Sequence, residues 1–273
     1  MDESFSDIIE QMARMGKDIW LKGWAEANAG NISVRLDPAV GKKEDSFYQN
    51  STWLELKMDF PQLAREYFLV TAAGSHLRNI ELAPRQTLGV IELDESGRRW
   101  RPVWGYEKNA QPTSELLAHL QAQAVRKQVS KELDRVFIHC HCPNLIALSY
   151  ALGLDTVRLT RLLWQMHIEC IVAFPEGVEF IPWQLSGSEQ LAQATARALQ
   201  KRRAVVWQFH GVGAAGSSLE AAFGLVEIIE KAAQIYLKTA SIGPVKNKLT
   251  TAQMAALAQR YNVKPDEEII GND

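Results

Sequence analysis

The order of hydrophobic patterns constrains this fold most. A helical stripe opens the chain, short period-two runs follow, and helices and strands then mix to the end. Phe5, Ile8, Ile9, Met12, Met15, Ile19 and Trp20 recur at helical spacing over residues 4–22. Strands are expected at 32–36, 67–71, 88–93, 100–104, 135–141, 169–174, 178–182 and 204–207. Further helices are expected at about 112–127, 144–152, 188–200, 218–239 and 251–261. A polar insertion at about 37–65 carries no clear period. With no internal repeat and no Pro/Gly/Ser-rich linker, residues 1–273 read as one α/β domain.

Composition narrows the class further. Apolar residues make up 47% of the chain and charged residues 23%, enough to bury a core without disulfides. Thirty basic residues against thirty-two acidic ones leave no basic stripe, so nucleic acid is not an expected partner. Three cysteines are too few and too odd for a secreted disulfide framework. The acidic, amphipathic N-terminus is unlike a signal peptide, and the apolar runs are too short to span a membrane. The expected location is the cytoplasm.

Chemistry is concentrated in Phe137-Ile138-His139-Cys140-His141. On a strand, residues i and i+2 share a face roughly 7 Å apart, so His139 and His141 can converge on one metal. His210, just past the strand at 204–207, is the third candidate, and three histidines with an open fourth position suit a catalytic zinc. Cys140 and Cys142 fall on the opposite face and read as small buried hydrophobes. Gly211-x-Gly213-x-x-Gly216 matches a dinucleotide fingerprint, read as a loop after that strand. No returning strand follows the next helix, so no βαβ unit supports it.

A second signal is Pro112-Thr113-Ser114-Glu115, the start of a helix whose free N–H groups suit a phosphate. The turns Asn28-Ala29-Gly30-Asn31 and Ala73-Gly74-Ser75 can add anion donors. Glu115 beside a metal in a water-excluding pocket suits a general base of raised pKa. From spacing alone, Ser114 and Glu115 fit ordinary helix capping equally well. His119 shares the face of Glu115 and is expected to pack or to support the site rather than bind metal. His76 reads as a solvated loop residue, and His167, sharing strand parity with Glu169, as packing.

Taken in order, Asn28-x-Gly30-Asn31, Pro112-Thr113-Ser114-Glu115-Leu116, His139-x-His141 and Trp207-x-Phe209-His210-Gly211 resemble the class II aldolase/adducin family. The resemblance runs almost end to end. It implies a three-layer α/β/α sandwich on a mixed, largely antiparallel sheet, assembled as a homotetramer with interfacial active sites. It implies one Zn2+ per subunit on His139, His141 and His210, a sugar phosphate substrate, and Glu115 as the acid/base at the dihydroxyacetone-phosphate carbon. Asn28, Gly30, Asn31, Gly74 and Ser114 would hold the phosphate, and Glu169 would reach the aldehyde end of a neighbouring subunit's site. Where the family carries Thr-Gly-Ser-Gly-Lys, this chain has Thr71-Ala72-Ala73-Gly74-Ser75, with Ser75 the candidate replacement for the hydroxyl absent at Ala73. Ala29 stands where the family has glycine. The alternatives within the superfamily are a pentulose-phosphate 4-epimerase and a non-enzymatic adducin-like module.

Overall fold

The computed structural model describes residues 4–44 and 51–271; positions 45–50 of the polar insertion lie outside them. The chain opens with α1 (Phe5–Leu21), whose start is a capping box: Ser4 accepts from Asp7 N, and the Asp7 carboxylate accepts from Ser4 N. Its buried stripe of Ile8, Met12, Met15 and Ile19 is the one expected from the spacing.

Nine strands form one sheet: β1 (Asn31–Leu36), β2 (Leu54–Glu55), β3 (Tyr67–Thr71), β4 (Leu88–Leu93), β5 (Arg99–Gly105), β6 (Val136–Cys140), β7 (Val178–Ile181), β8 (Ala204–Trp207) and β9 (Gly211–Gly216). Their order is β2-β5-β4-β3-β1-β6-β9-β8-β7. Among the described residues only β7 and β8 pair in parallel; every other pair is antiparallel. Alternate side chains feed two cores on opposite faces. Val136, Ile138 and Cys140 join one core and Phe137 the other; Leu69 and Phe68 divide the same way.

Helices cover both faces, giving the expected α/β/α layering. The remaining helices are α2 (Pro38–Glu44), α3 (Pro84–Thr87), α4 (Leu116–Val129), α5 (Pro143–Ala151), α6 (Thr156–Met166), α7 (Ile168–Ala173), α8 (Glu189–Leu199), α9 (Leu219–Ala240), α10 (Thr251–Arg260) and α11 (Glu267–Ile270). On one face α4 and α8 pack together against β6 and β8; on the other lie α1, α5, α6, α7 and α9. No described helix is long and apolar enough to cross a membrane.

Two expectations fail. The segment expected as a strand at 169–174 is the helix α7, because Cys170 and Ile171 are buried in succession rather than alternately. His167 caps this helix, its Nδ1 accepting from Glu169 N at 3.3 Å, so strand parity does not relate the two residues. The glycine-rich segment at 211–216 is not a loop but the strand β9, bonded to β6 on one side and β8 on the other. Lacking bulky side chains, it shows no alternation to read. A Cβ on Gly211 would sit 2.2 Å from the carbonyl oxygen of Cys140, so only glycine allows that close approach. A buried strand here also removes the dinucleotide reading. Helix α6, which carries buried Leu159, Leu163 and Trp164, was not among the expected elements.

Candidate metal centre and active site

The three histidines come from two neighbouring places in the sheet. His139 lies on β6, His141 one residue beyond its end, and His210 in the tight turn joining β8 to β9. That turn places Phe209 in the left-handed region (φ 64°), its N–H donating to Ser149 Oγ at 3.0 Å. The ligand-capable atoms of the three rings lie within 4.8 Å of one another. His139 is 1% exposed; its Nδ1 donates to the carbonyl of Val212 at 3.1 Å. His141 Nδ1 donates to Glu26 Oε1 at 2.7 Å. Both bonds leave Nε2 as the bare, lone-pair nitrogen. His139 Nε2 is buried without a hydrogen-bond partner, an orphan atom that a metal ion would satisfy. Neutral imidazoles converging in this way fit a divalent cation. Burial is also the main cause lowering the pKa of His139 and His210, which favours the neutral, ligating form.

Glu115 faces this cluster. It is the N-cap of α4, only 3% exposed, with Oε2 3.7 Å from His139 Nε2 and Oε1 3.6 Å from His210 Nε2. Asn31 Nδ2 donates to Oε2 at 2.9 Å and Ser186 Oγ to Oε1 at 2.6 Å. Burial works to raise its pKa, but the facing His139, the donors Ser186 and Asn31, and His210 outweigh it and lower the carboxyl below its ordinary value. The direction is thus opposite to the expected rise, with the facing His139 acting first and the donor on each oxygen next. The carboxylate is ionised at neutral pH, in a form able to accept a proton.

A cavity of about 160 Å³ gathers most of the remaining candidates: Asn28, Gly30, Asn31, Gly74 and Ser114 line it together with Glu115 and the three histidines. Among the described residues its walls hold no lysine or arginine, leaving neutral polar groups and backbone to meet an anion. Gly30 takes a left-handed conformation (φ 78°) and so does Ala27 (φ 48°), but not Ala29; alanine at 29 therefore sits without backbone strain. Ser75 does not replace the hydroxyl absent at Ala73. It donates to the carbonyl oxygens of Ala72 at 2.7 Å and Thr87 at 3.5 Å, a local turn that closes its own loop. Glu169 is exposed on α7 and does not line the cavity. His76 is half-buried with an unpartnered Nδ1, not a freely solvated residue. Cys140 and Cys142 are fully buried, as small hydrophobes would be.

Residues 10–237 match the family described as "Class II Aldolase and Adducin N-terminal domain". The chain belongs to the class II aldolase/adducin family. It is 43% identical to the rhamnulose-1-phosphate aldolase of Mannheimia succiniciproducens over 264 residues, covering 96% of this chain and 97% of that one. It is 41% identical to the enzyme of the same name from Escherichia coli O1:K1 / APEC, covering 94% of each chain. Among solved structures, the sugar-phosphate aldolase of Thermotoga maritima superposes with a TM-score of 0.76 at 30% identity, covering 88% of this chain and 97% of that one. The protein is accordingly a class II aldolase, an enzyme rather than a structural module.

Two residues of this class II aldolase escape a reading of the sequence, and a third is read with only part of its contacts. Glu26 lies just before the turn at 28–31 and carries no motif of its own. Ser186 sits in Ser186-Gly187-Ser188, which reads only as the start of α8. Asn31 reads as a phosphate residue, and its side chain also reaches the Glu115 carboxylate 84 positions away. No spacing rule predicts contacts between such distant segments.

Proposed function

We propose that this chain is a zinc-dependent aldolase that reversibly cleaves L-rhamnulose 1-phosphate to dihydroxyacetone phosphate and L-lactaldehyde in L-rhamnose catabolism. The observation carrying the proposal is the convergence of His139, His141 and His210 beside the ionised Glu115 carboxylate. The near-full-length relatives named rhamnulose-1-phosphate aldolase support the choice of substrate.

In this reading His139, His141 and His210 hold the zinc. When bound, zinc supplies Lewis-acid polarisation of the ketose carbonyl and stabilises the charge that develops on the dihydroxyacetone-phosphate fragment. Asn28, Gly30, Asn31, Gly74 and Ser114 hold the phosphate through amide, hydroxyl and backbone donors. Cleavage breaks the C3–C4 bond as the C4 hydroxyl gives its proton to solvent and the bond's electron pair stays on the dihydroxyacetone-phosphate fragment. The Glu115 carboxylate takes up a proton from solvent and delivers it to C3 of that fragment, and removes it in the synthetic direction. Asn31 and Ser186 keep its carboxylate from swinging away, a precondition for proton transfer at a fixed atom.

The same proposal takes residues 1–273 as a single domain, supported by one sheet whose strands come from Asn31 through Gly216. It places the enzyme in the cytoplasm as a homotetramer. Exposed Tyr150 (70%), Ile168 (52%) and Trp183 (62%) supply apolar surface for subunit contacts, and exposed Glu169 then reaches the aldehyde end of a neighbour's site. Light scattering would read the assembly directly.

Release of dihydroxyacetone phosphate from L-rhamnulose 1-phosphate, followed by a coupled assay, tests the reading. The expected result is cleavage abolished by chelation and restored by zinc. Zinc-loaded protein that leaves this substrate intact, or that epimerises a pentulose phosphate instead, overturns it.

A further inference from the structure

The space between α4 and the sheet is closed partly by polar side chains. His119 and Gln123 lie one turn apart on α4, and β1 presents Asn31 and Ser33, alternate residues on one face. All four are buried. They form a continuous row: Gln123 Nε2 to Ser33 Oγ (3.0 Å), Ser33 Oγ to His119 Nδ1 (2.8 Å), His119 Nε2 to Asn31 Oδ1 (2.5 Å), and Asn31 Nδ2 to Glu115 Oε2 (2.9 Å).

Counting protons gives this row one direction. Gln123 Nε2 also faces the backbone carbonyls of Ser33 (3.3 Å) and Arg135 (3.2 Å), and turning its amide around would set oxygen against both. Its nitrogen must therefore donate, and Ser33 Oγ must accept from it. The single Ser33 hydroxyl proton is then free for His119 Nδ1, the arrangement in which a neutral imidazole carries its proton on Nε2. Nε2 donates to Asn31 Oδ1, so the Asn31 amide cannot turn and its Nδ2 must face Glu115. The other end decides it: a flipped Asn31 would set its oxygen against the carboxylate, so Nδ2 faces Glu115, Oδ1 faces His119, and His119 Nε2 must carry the ring proton, the sense the Gln123 end allows. Burial supports the neutral ring, pushing the His119 pKa down to about 4 against the opposing pull of Glu115.

We infer that His119 is a positioning residue for Glu115, acting through Asn31 at the inner end of a one-way hydrogen-bond row anchored on Gln123 and the backbone of β1. The inference rests on the proposed role of Glu115, although the row can be tested without any substrate. In the holoenzyme labelled with 15N-histidine, His119 should show a protonated Nε2 and a bare Nδ1, unchanged between about pH 6 and 8. A protonated Nδ1 in that range overturns the row.

Metal-loaded His119→Phe should lose about 10- to 100-fold in kcat, with KM within about twofold and metal content unchanged, and His119→Gln should recover part of the loss. A folded, metal-loaded His119→Phe with kcat within about twofold of the parent overturns the positioning role. Where the phenylalanine variant does not fold, Ser33→Ala takes its place with the same two outcomes at about a threefold to tenfold loss. A parent protein inactive on L-rhamnulose 1-phosphate refutes the proposed function instead, and the NMR reading still decides the row.

Discussion

The Glu26 carboxylate accepts a 2.7 Å hydrogen bond from Nδ1 of His141, which leaves Nε2 of that ring as the lone-pair nitrogen on the metal side. A carboxylate behind a ligating histidine fixes its tautomer and raises its basicity. Glu26→Gln should therefore weaken zinc binding about 10- to 100-fold, read by competition with a chromophoric chelator, while His141→Ala should lose the ion outright. Unaltered affinity in Glu26→Gln would separate this contact from metal binding.

Glu115 makes its contacts as an anion with one donor on each oxygen. Glu115→Gln keeps the volume and removes the proton acceptor, so turnover should fall about 10³-fold with zinc content retained. Full turnover with bound zinc would remove Glu115 from the reaction. Ser186→Ala should have a smaller effect than Glu115→Gln, because Asn31 still holds the other carboxylate oxygen.

The buried His119 also makes stability depend on pH. Its pKa, pushed down to about 4, lies below the ordinary value of 6.5 that the unfolded chain regains. Between these values the unfolded state binds a proton that the folded state refuses. Stability is therefore lost as pH falls from about 6.5 towards 4, by up to about 1.4 kcal/mol per pH unit. The gap between urea midpoints measured at about pH 7 and pH 5 should be smaller in His119→Gln than in the parent. Equal slopes would show that this ring contributes nothing to the acid sensitivity.

Close packing of β9 against β6 predicts a cost with no chemistry of its own. The Cβ of Gly211→Ala would press on the Cys140 carbonyl oxygen at 2.2 Å and lie 3.1 Å from the His139 ring. A loss of about 1–3 kcal/mol is expected, together with weaker zinc binding as β6 shifts. Calorimetry with and without zinc would separate the two effects.

Patterns that repeat along the chain were legible; contacts between distant segments were not. Helix α1, strands β3 and β4, and the histidine pair at the end of β6 all follow from side-chain periods. So does the burial of Cys140 and Cys142. Strand β9 was hidden because Gly211, Gly213, Ala214, Ala215 and Gly216 offer no contrast between faces. Helix α7 reads as a strand in the sequence because a run as short as Ile168–Ala173 suits either period until its burial is known. In the site, sequence marks the histidines and Glu115 through motif and order. Glu26, Ser186 and the row through His119 exist only because the sheet and α4 bring far-apart residues within hydrogen-bond reach.

His139 and His141 stand at the end of β6, and His210 in the turn between β8 and β9, with α5, α6, α7 and α8 strung between them along the chain. An ion held by all three closes that long stretch into a loop, and so acts as a clasp on the fold as well as a reagent. Scarcity of the metal would then register in a cell twice. The remaining molecules would be inactive, and the opened ones would pass more readily to proteases, so that enzyme abundance itself would track zinc supply.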